Sequence, residues 1–265
     1  MKPHAVPHPA TAQRRKKPRK RKPVLVRQRW FFAVLVFGVL SVGYFPLRNG
    51  IEHAPPMVNV DSASIPAMYR LPFIGNRERV TFLAVGDIML SRAVAAISKQ
   101  RHDRAFPFRQ ISTYLHSADF VFGNLETPIT PGREIQDDEL LFRADPGVEY
   151  DLAQANIQAV SLANNHVPNF GEQGVLDTLA LLHAAGIQTA GAGKDLAEAL
   201  QPAVITKNGL TIAFLAYNDM DVVPENYGAS DHRAGTALMD IPTMQEAVRK
   251  ANDDADIVVV SMHSG

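Results

Sequence analysis

Four apolar runs that stop on polar residues constrain this chain more than any other feature. VTFLAVGD (80–87), DFVFGNLE (119–126), IQAVSLANNH (157–166) and DIVVVSMHSG (256–265) are short and almost continuously apolar before they end. Such runs read as strands buried on both faces. Between them lie segments of helical period: SRAVAAISKQ (91–100), FRQISTYLHSA (108–118) and GVEYDLAQAN (147–156). After the third strand, Val175, Leu176, Leu179 and Leu182 recur at helical spacing until Gly186 stops the pattern. IQTAGAG (187–193) reads as a short strand and DLAEAL (195–200) as a helix. PAVITKNGLTIAFLAY (202–217) reads as a hairpin turning on Asn208-Gly209, and IPTMQEAVRKANDDA (241–255) as a helix. Strand–helix alternation of this kind predicts an α/β fold with a mostly parallel sheet and helices on both faces.

The strand ends carry the chemistry. They finish in Gly86-Asp87, in Asn124-Leu125-Glu126, in Asn164-Asn165-His166 and in His263-Ser264-Gly265. Open α/β sheets bind ligands beyond the carboxyl ends of their strands. Four such ends offer oxygen and nitrogen donors and no sulfur, a set suited to Mn, Fe, Zn or Mg. There is no cysteine, which excludes disulfides and thiolate metal sites. Divalent ions at such a site clamp a phosphate and activate water, and an imidazole beside them can protonate a leaving oxygen. Each residue also has a plainer use. Asp87 can cap the next helix, Glu126 can be a loop acid, and His263 can simply end a strand. Asn124 and Asn164 can be turn residues with positive φ. His166 fits neither a turn nor a core. GAGKD (191–195) is no phosphate loop, because neither Ser nor Thr follows Lys194.

The net charge of zero hides a split molecule. Residues 1–29 hold eleven Lys and Arg and no acid, leaving 16 bases against all 27 acids in the remainder. Directly after this basic head comes WFFAVLVFGVLSVGYFPL (30–47), eighteen residues without a charge. Length, flanking bases and the aromatic Trp30 and Tyr44 predict a transmembrane signal-anchor with the N-terminus cytoplasmic and the rest extracytoplasmic. A cleaved signal peptide with a small-residue site at Ser41-Val42-Gly43 is the rival. Either way, nucleic acid is not an expected partner of the tail. Residues 48–79, broken by Gly50, Pro55-Pro56, Pro66, Pro72 and Gly75, read as a linker, and the domain is expected over 80–265.

VGDIML, ADFVFGNLETPIT, SLANNHVPNFGEQG, the AGI and GAG pair at 185–193 and the closing MHSG together resemble the CapA-type capsule synthesis family, which serves poly-gamma-glutamate capsule production. That family belongs to the calcineurin-like metallophosphoesterase superfamily. The resemblance implies a two-sheet sandwich flanked by helices, here preceded by one transmembrane helix. It implies metal ligands at Asp87, Glu126, Asn165 and His263, with His166 facing substrate as proton donor and Asn124 and Asn164 in supporting positions. Met89 stands where the superfamily has a histidine, as in this branch generally, and Val167-Pro168-Asn169 stands where relatives carry an Asp shortly after Asn-His. The family's closing His-Pro-His element is absent, so the domain is expected to be C-terminally truncated. The function implied is a membrane-anchored protein of capsule synthesis or export with a divalent-metal, phosphoesterase-like hydrolase site. It would become an enzyme if a full-length chain completes that site. Its partners would be the membrane and the capsule polymer or capsule-synthesis proteins. The alternative is a non-catalytic assembly or tethering subunit of that machinery.

Overall fold

The computed structural model describes residues 32–36 and 79–264, apart from residue 137. The basic head, the proposed cleavage site and the linker up to residue 78 lie outside the described residues. Among the described residues, ten strands fall into two four-stranded sheets and a small two-stranded ribbon. The first sheet has the order β2 (Phe82–Ile88), β3 (Phe120–Leu125), β4 (Ile157–Ser161) and β5 (Gln188–Ala190), all parallel. The second has the order β1 (Phe32–Val36), β10 (Ile257–His263), β8 (Leu210–Asn218) and β7 (Ala203–Lys207). Here β1–β10 and β10–β8 are parallel, and β7–β8 is an antiparallel hairpin. Its turn uses Asn208 and Gly209 at φ 48° and 72°, the paired positive φ that a two-residue hairpin requires. The ribbon joins β6 (Ala192–Gly193) to β9 (Gly235–Thr236).

Three apolar clusters define the layering. Between the sheets lie Phe120, Phe122, Ala159, Phe214, Ala216 and Val259. Phe122 stacks on Phe214 with centroids 4.4 Å apart, and Phe120 meets Phe214 edge-on at 6.0 Å. The outer face of the first sheet packs α4 (Val148–Gln154) and α5 (Gly171–Ala184) through Leu152, Val175, Leu179 and Leu182. The outer face of the second packs α7 (Ile241–Asp254) against Ala213, Leu215 and Tyr217. The result is a helix–sheet–sheet–helix arrangement, which brings strand ends from two sheets to a common edge.

The apolar run at 30–47 corrects the transmembrane expectation. Its described part, Phe32–Val36, is a strand that pairs in parallel with β10 from Phe32↔Val258 to Val36↔Met262. Among the described residues, no helix is long and apolar enough to cross a membrane. The single-pass anchor, the membrane as partner and the extracytoplasmic placement deduced from them are therefore withdrawn. The physical reason is that an apolar run does not declare its period. FAVLV carries Val34 and Val36, suits a pleated strand, and meets the open ladder edge of β10.

Smaller departures have local causes. The expected helix at 108–118 is two four-residue turns, α2 (Phe106–Arg109) and α3 (Ser112–Leu115). Pro107 lies in the first turn of α2, and Asn156 Nδ2 donates to the Leu115 and Ala118 carbonyls and closes the second. IQTAGAG is split between β5 and β6 by Gly191, at φ 83°. A side chain there would stand 2.5 Å from the Ala163 Cβ and 2.8 Å from the Ala216 Cβ, so only glycine lets the two sheets close at this point. The remaining helices are α1 (Arg92–Gln100) and α6 (Leu196–Ala199).

Candidate metal centre

Asp87 lies in β2, one residue before its end, and Glu126 directly follows β3. His263 closes β10 in the other sheet. One ligand atom from each of the three lies within 4.8 Å of the other two. His263 Nε2 is 3.5 Å from Glu126 Oε1 and 3.2 Å from Asn165 Oδ1. Three strand ends and the loop after β4 thus place two carboxylates, an imidazole and a neutral amide oxygen in one spot.

A line of asparagines holds this group, and each amide's orientation is set by the next. The Asn164 carbonyl oxygen accepts from the His166 and Val167 backbone N–H groups (3.0 and 2.9 Å). Its Nδ2 donates to Asn124 Oδ1 (3.0 Å) and to the Leu125 carbonyl (2.9 Å). That leaves Asn124 Nδ2 to donate to Asp87 Oδ1 (2.8 Å) and to face His263 Nδ1 at 3.3 Å. Without a cation His263 Nδ1 is therefore an acceptor and the neutral ring carries its proton on Nε2, the nitrogen that would lose this proton to ligate a metal. Neither Asn124 nor Asn164 has a positive φ; Asn164 turns the chain through its side-chain oxygen instead. Asn164 is wholly buried, which such a saturated amide tolerates.

No basic side chain offsets the Glu126 carboxyl. Burial, and then the neighbouring Asp87 carboxylate, push Glu126 up to about 7, and no Lys or Arg pulls it back. Burial also lowers the His263 imidazole, against the upward pull of Asp87. The Glu126–His263 approach is thus a contact between a reluctant acid and a reluctant base, rather than a salt bridge. Two oxygen anions, an amide oxygen and a neutral imidazole without a resident counter-charge fit a divalent cation.

His166 stands beside the group without a hydrogen bond to it. Its Nδ1 meets Asn169 Oδ1 at 3.2 Å, and its ring lies on Phe142 with centroids 3.9 Å apart. The same Asn169 oxygen accepts from the Phe142 N–H at 2.9 Å, which fixes it as an acceptor. His166 Nδ1 therefore carries the proton, and Nε2 keeps its lone pair. Burial, the largest influence, lowers this imidazole too. Sequence reading missed the roles of Asn169 and Phe142. The i, i+3 spacing of His166 and Asn169 held the first signal. Phe142 sits in a stretch without period and gave none. Asp87 does not cap α1: Ser91 takes the cap position, and its hydroxyl accepts from the Arg143 N–H instead.

The architecture and centre define a two-sheet α/β domain with a metal-type site at its strand ends. Residues 81–265 match the bacterial capsule synthesis protein PGA_cap family, and the chain belongs to it. It is 30% identical over 232 residues to the capsule biosynthesis protein CapA of Bacillus anthracis, covering 83% of this chain and 54% of that one. It is 30% identical over 184 residues to the PGA biosynthesis protein CapA of Bacillus subtilis (strain 168), covering 68% and 48%. The chain thus spans about half the length of the curated relatives it matches. A solved phosphatase from Mycoplasma pneumoniae superposes with a TM-score of 0.39 at 16% identity, over 71% of this chain and 57% of that one; likeness at this level carries no argument about activity.

Proposed function

We propose that this domain is a divalent-metal, hydrolase-type unit serving capsule synthesis. The observation that carries it is the convergence of Asp87, Glu126 and His263 within 4.8 Å at strand ends of two different sheets. Asp87, Glu126, Asn165 and His263 would hold the cation, with Asn124 and Asn164 fixing their orientation. A bound divalent ion supplies Lewis acidity toward a phosphoryl or carbonyl oxygen and lowers the pKa of water. The chain's own contribution is placement and proton handling. His166, seated on Phe142 and tied through Nδ1 to Asn169, keeps the lone pair of Nε2 free for the proton chemistry we assign to it. In its resting form it accepts a proton, and it returns that proton to a leaving oxygen only after taking it up. This refines the expectation of a simple proton donor.

The test uses the whole 265-residue chain, stripped with a chelator and reloaded with Mn2+. Bound metal is counted, and turnover of a chromogenic phosphodiester is followed. One Mn2+ or more per chain, lost in Asp87→Ala and His263→Ala, is the expected result. Metal content unchanged in both variants would sink the site. Metal binding without turnover would favour the assembly role over the hydrolase.

A further inference from the structure

Every strand-end amide of the centre is hydrogen-bonded except one in the second sheet. Asn218 closes β8 and stands opposite His263 in the parallel register. Its backbone is satisfied on both sides: its N–H donates to the Ala237 carbonyl and its carbonyl accepts from Met239, each at 2.8 Å. The side chain is 0% exposed, yet neither Oδ1 nor Nδ2 has a partner. Strand alternation gives it the face of Phe214 and Ala216, both in the layer between the sheets. His263 shares the alternation of Ile257 and Val259, which point into that same layer. Asn218 and His263 are therefore neighbours on one face at one strand end. The Tyr217 hydroxyl, also unpartnered, belongs to the opposite face against α7 and is a separate matter.

A buried amide without partners is destabilising, and leucine would fill this position better if packing were its only task. An amide can both accept from and donate to a hydrated cation. Buried groups just outside a metal's ligands govern its affinity. We propose that Asn218 is a further residue of the metal centre, where its amide binds the hydration of the divalent cation held by Asp87, Glu126 and His263. This rests on the metal reading above. It extends the site to a fifth strand end, beside His263 on the strand after β10 in the sheet order.

The experiment measures Mn2+ affinity by calorimetry on the full chain, and melting of the same proteins in excess chelator. Asn218→Leu is expected to bind Mn2+ about 10-fold more weakly while melting higher than wild type without metal. A residue that only fills space does not move the two readouts in opposite directions. Asn218→Asp is expected to bind Mn2+ more tightly than wild type and to melt lower without it, and it serves as the reporter if the leucine variant does not fold. Wild-type affinity in either folded variant overturns the assignment of Asn218 alone. Failure of the wild-type chain to bind Mn2+ overturns the metal reading and this extension together.

Discussion

Two regions of the same sheets behave in opposite ways. Midway along the strands, Phe120, Phe122 and Phe214 close the gap between the sheets and need nothing further. A few residues on, the strands end in Asp87, Asn124, Glu126, Asn218 and His263, where carboxylates crowd together and one amide lacks partners. The first region lowers the folded state's free energy. The second raises it and is tolerated because the first is so complete. The comparison teaches where to cut: substitutions in the aromatic layer should cost stability and leave ligand chemistry alone, and substitutions at the strand ends should do the reverse.

The largest expected effect tests the first half. Phe214→Ala removes the ring that both Phe120 and Phe122 contact and should cost about 3–5 kcal/mol in denaturant unfolding. Protein that remains folded should still bind Mn2+ with wild-type stoichiometry. Next, Asp87→Asn should weaken Mn2+ binding about 100-fold with little change in metal-free melting, read by calorimetry; equal affinity would erase the distinction between the regions. Acidity sharpens the comparison further. With Glu126 held at about 7, protons compete with the cation, so Mn2+ affinity should be about 10-fold weaker at pH 6 than at pH 8. Binding should also release a proton, visible as a buffer-dependent heat. Because this carboxyl lies above its unfolded value, the metal-free protein should lose stability as pH rises from about 4.5 to 7.

The smallest effect lies away from both regions. Asp119 accepts from the Thr81 N–H (2.6 Å) and hydroxyl (3.0 Å), which hold its carboxyl below the usual range. That stability is present above the unfolded value and is lost as pH falls through the folded one. Asp119→Asn should therefore melt slightly below wild type at neutral pH, with the two curves converging in acid.

The contrast between the regions was half visible in the sequence. Apolar runs ending in Asp87, in Glu126, in Asn165-His166 and in His263 announced both the strands and the polar edge, because a buried strand and its exit loop have unlike compositions. Asn218 follows the same rule, ending LTIAFLAYN, but the run reads as half of a hairpin, a role that gives its last residue no separate signal. Apart from the β7–β8 hairpin, announced by its Asn208-Gly209 turn, which strand pairs with which was not legible. Periodicity reports the face a residue takes and not its neighbour, so the parting of β5 from β6 at Gly191 and the assignment of β7, β8 and β10 to a second sheet depend on long-range packing. The FAVLV stretch shows the same limit most sharply. Its basic flank and length satisfied the rules for a membrane helix, and its partner strand lies more than two hundred residues away.

That distance has a consequence in time. Strand β1 leaves the ribosome early, and β10, the strand it pairs with, near the end of the described chain. At about 5–20 residues per second, an interval on the order of 10–45 s separates the two. Through that interval a short apolar segment has no ladder to join, while the β2–β5 sheet can already assemble from neighbouring pieces. Synthesis rate and chaperone capture thereby become determinants of yield, because they act on β1 until β10 arrives.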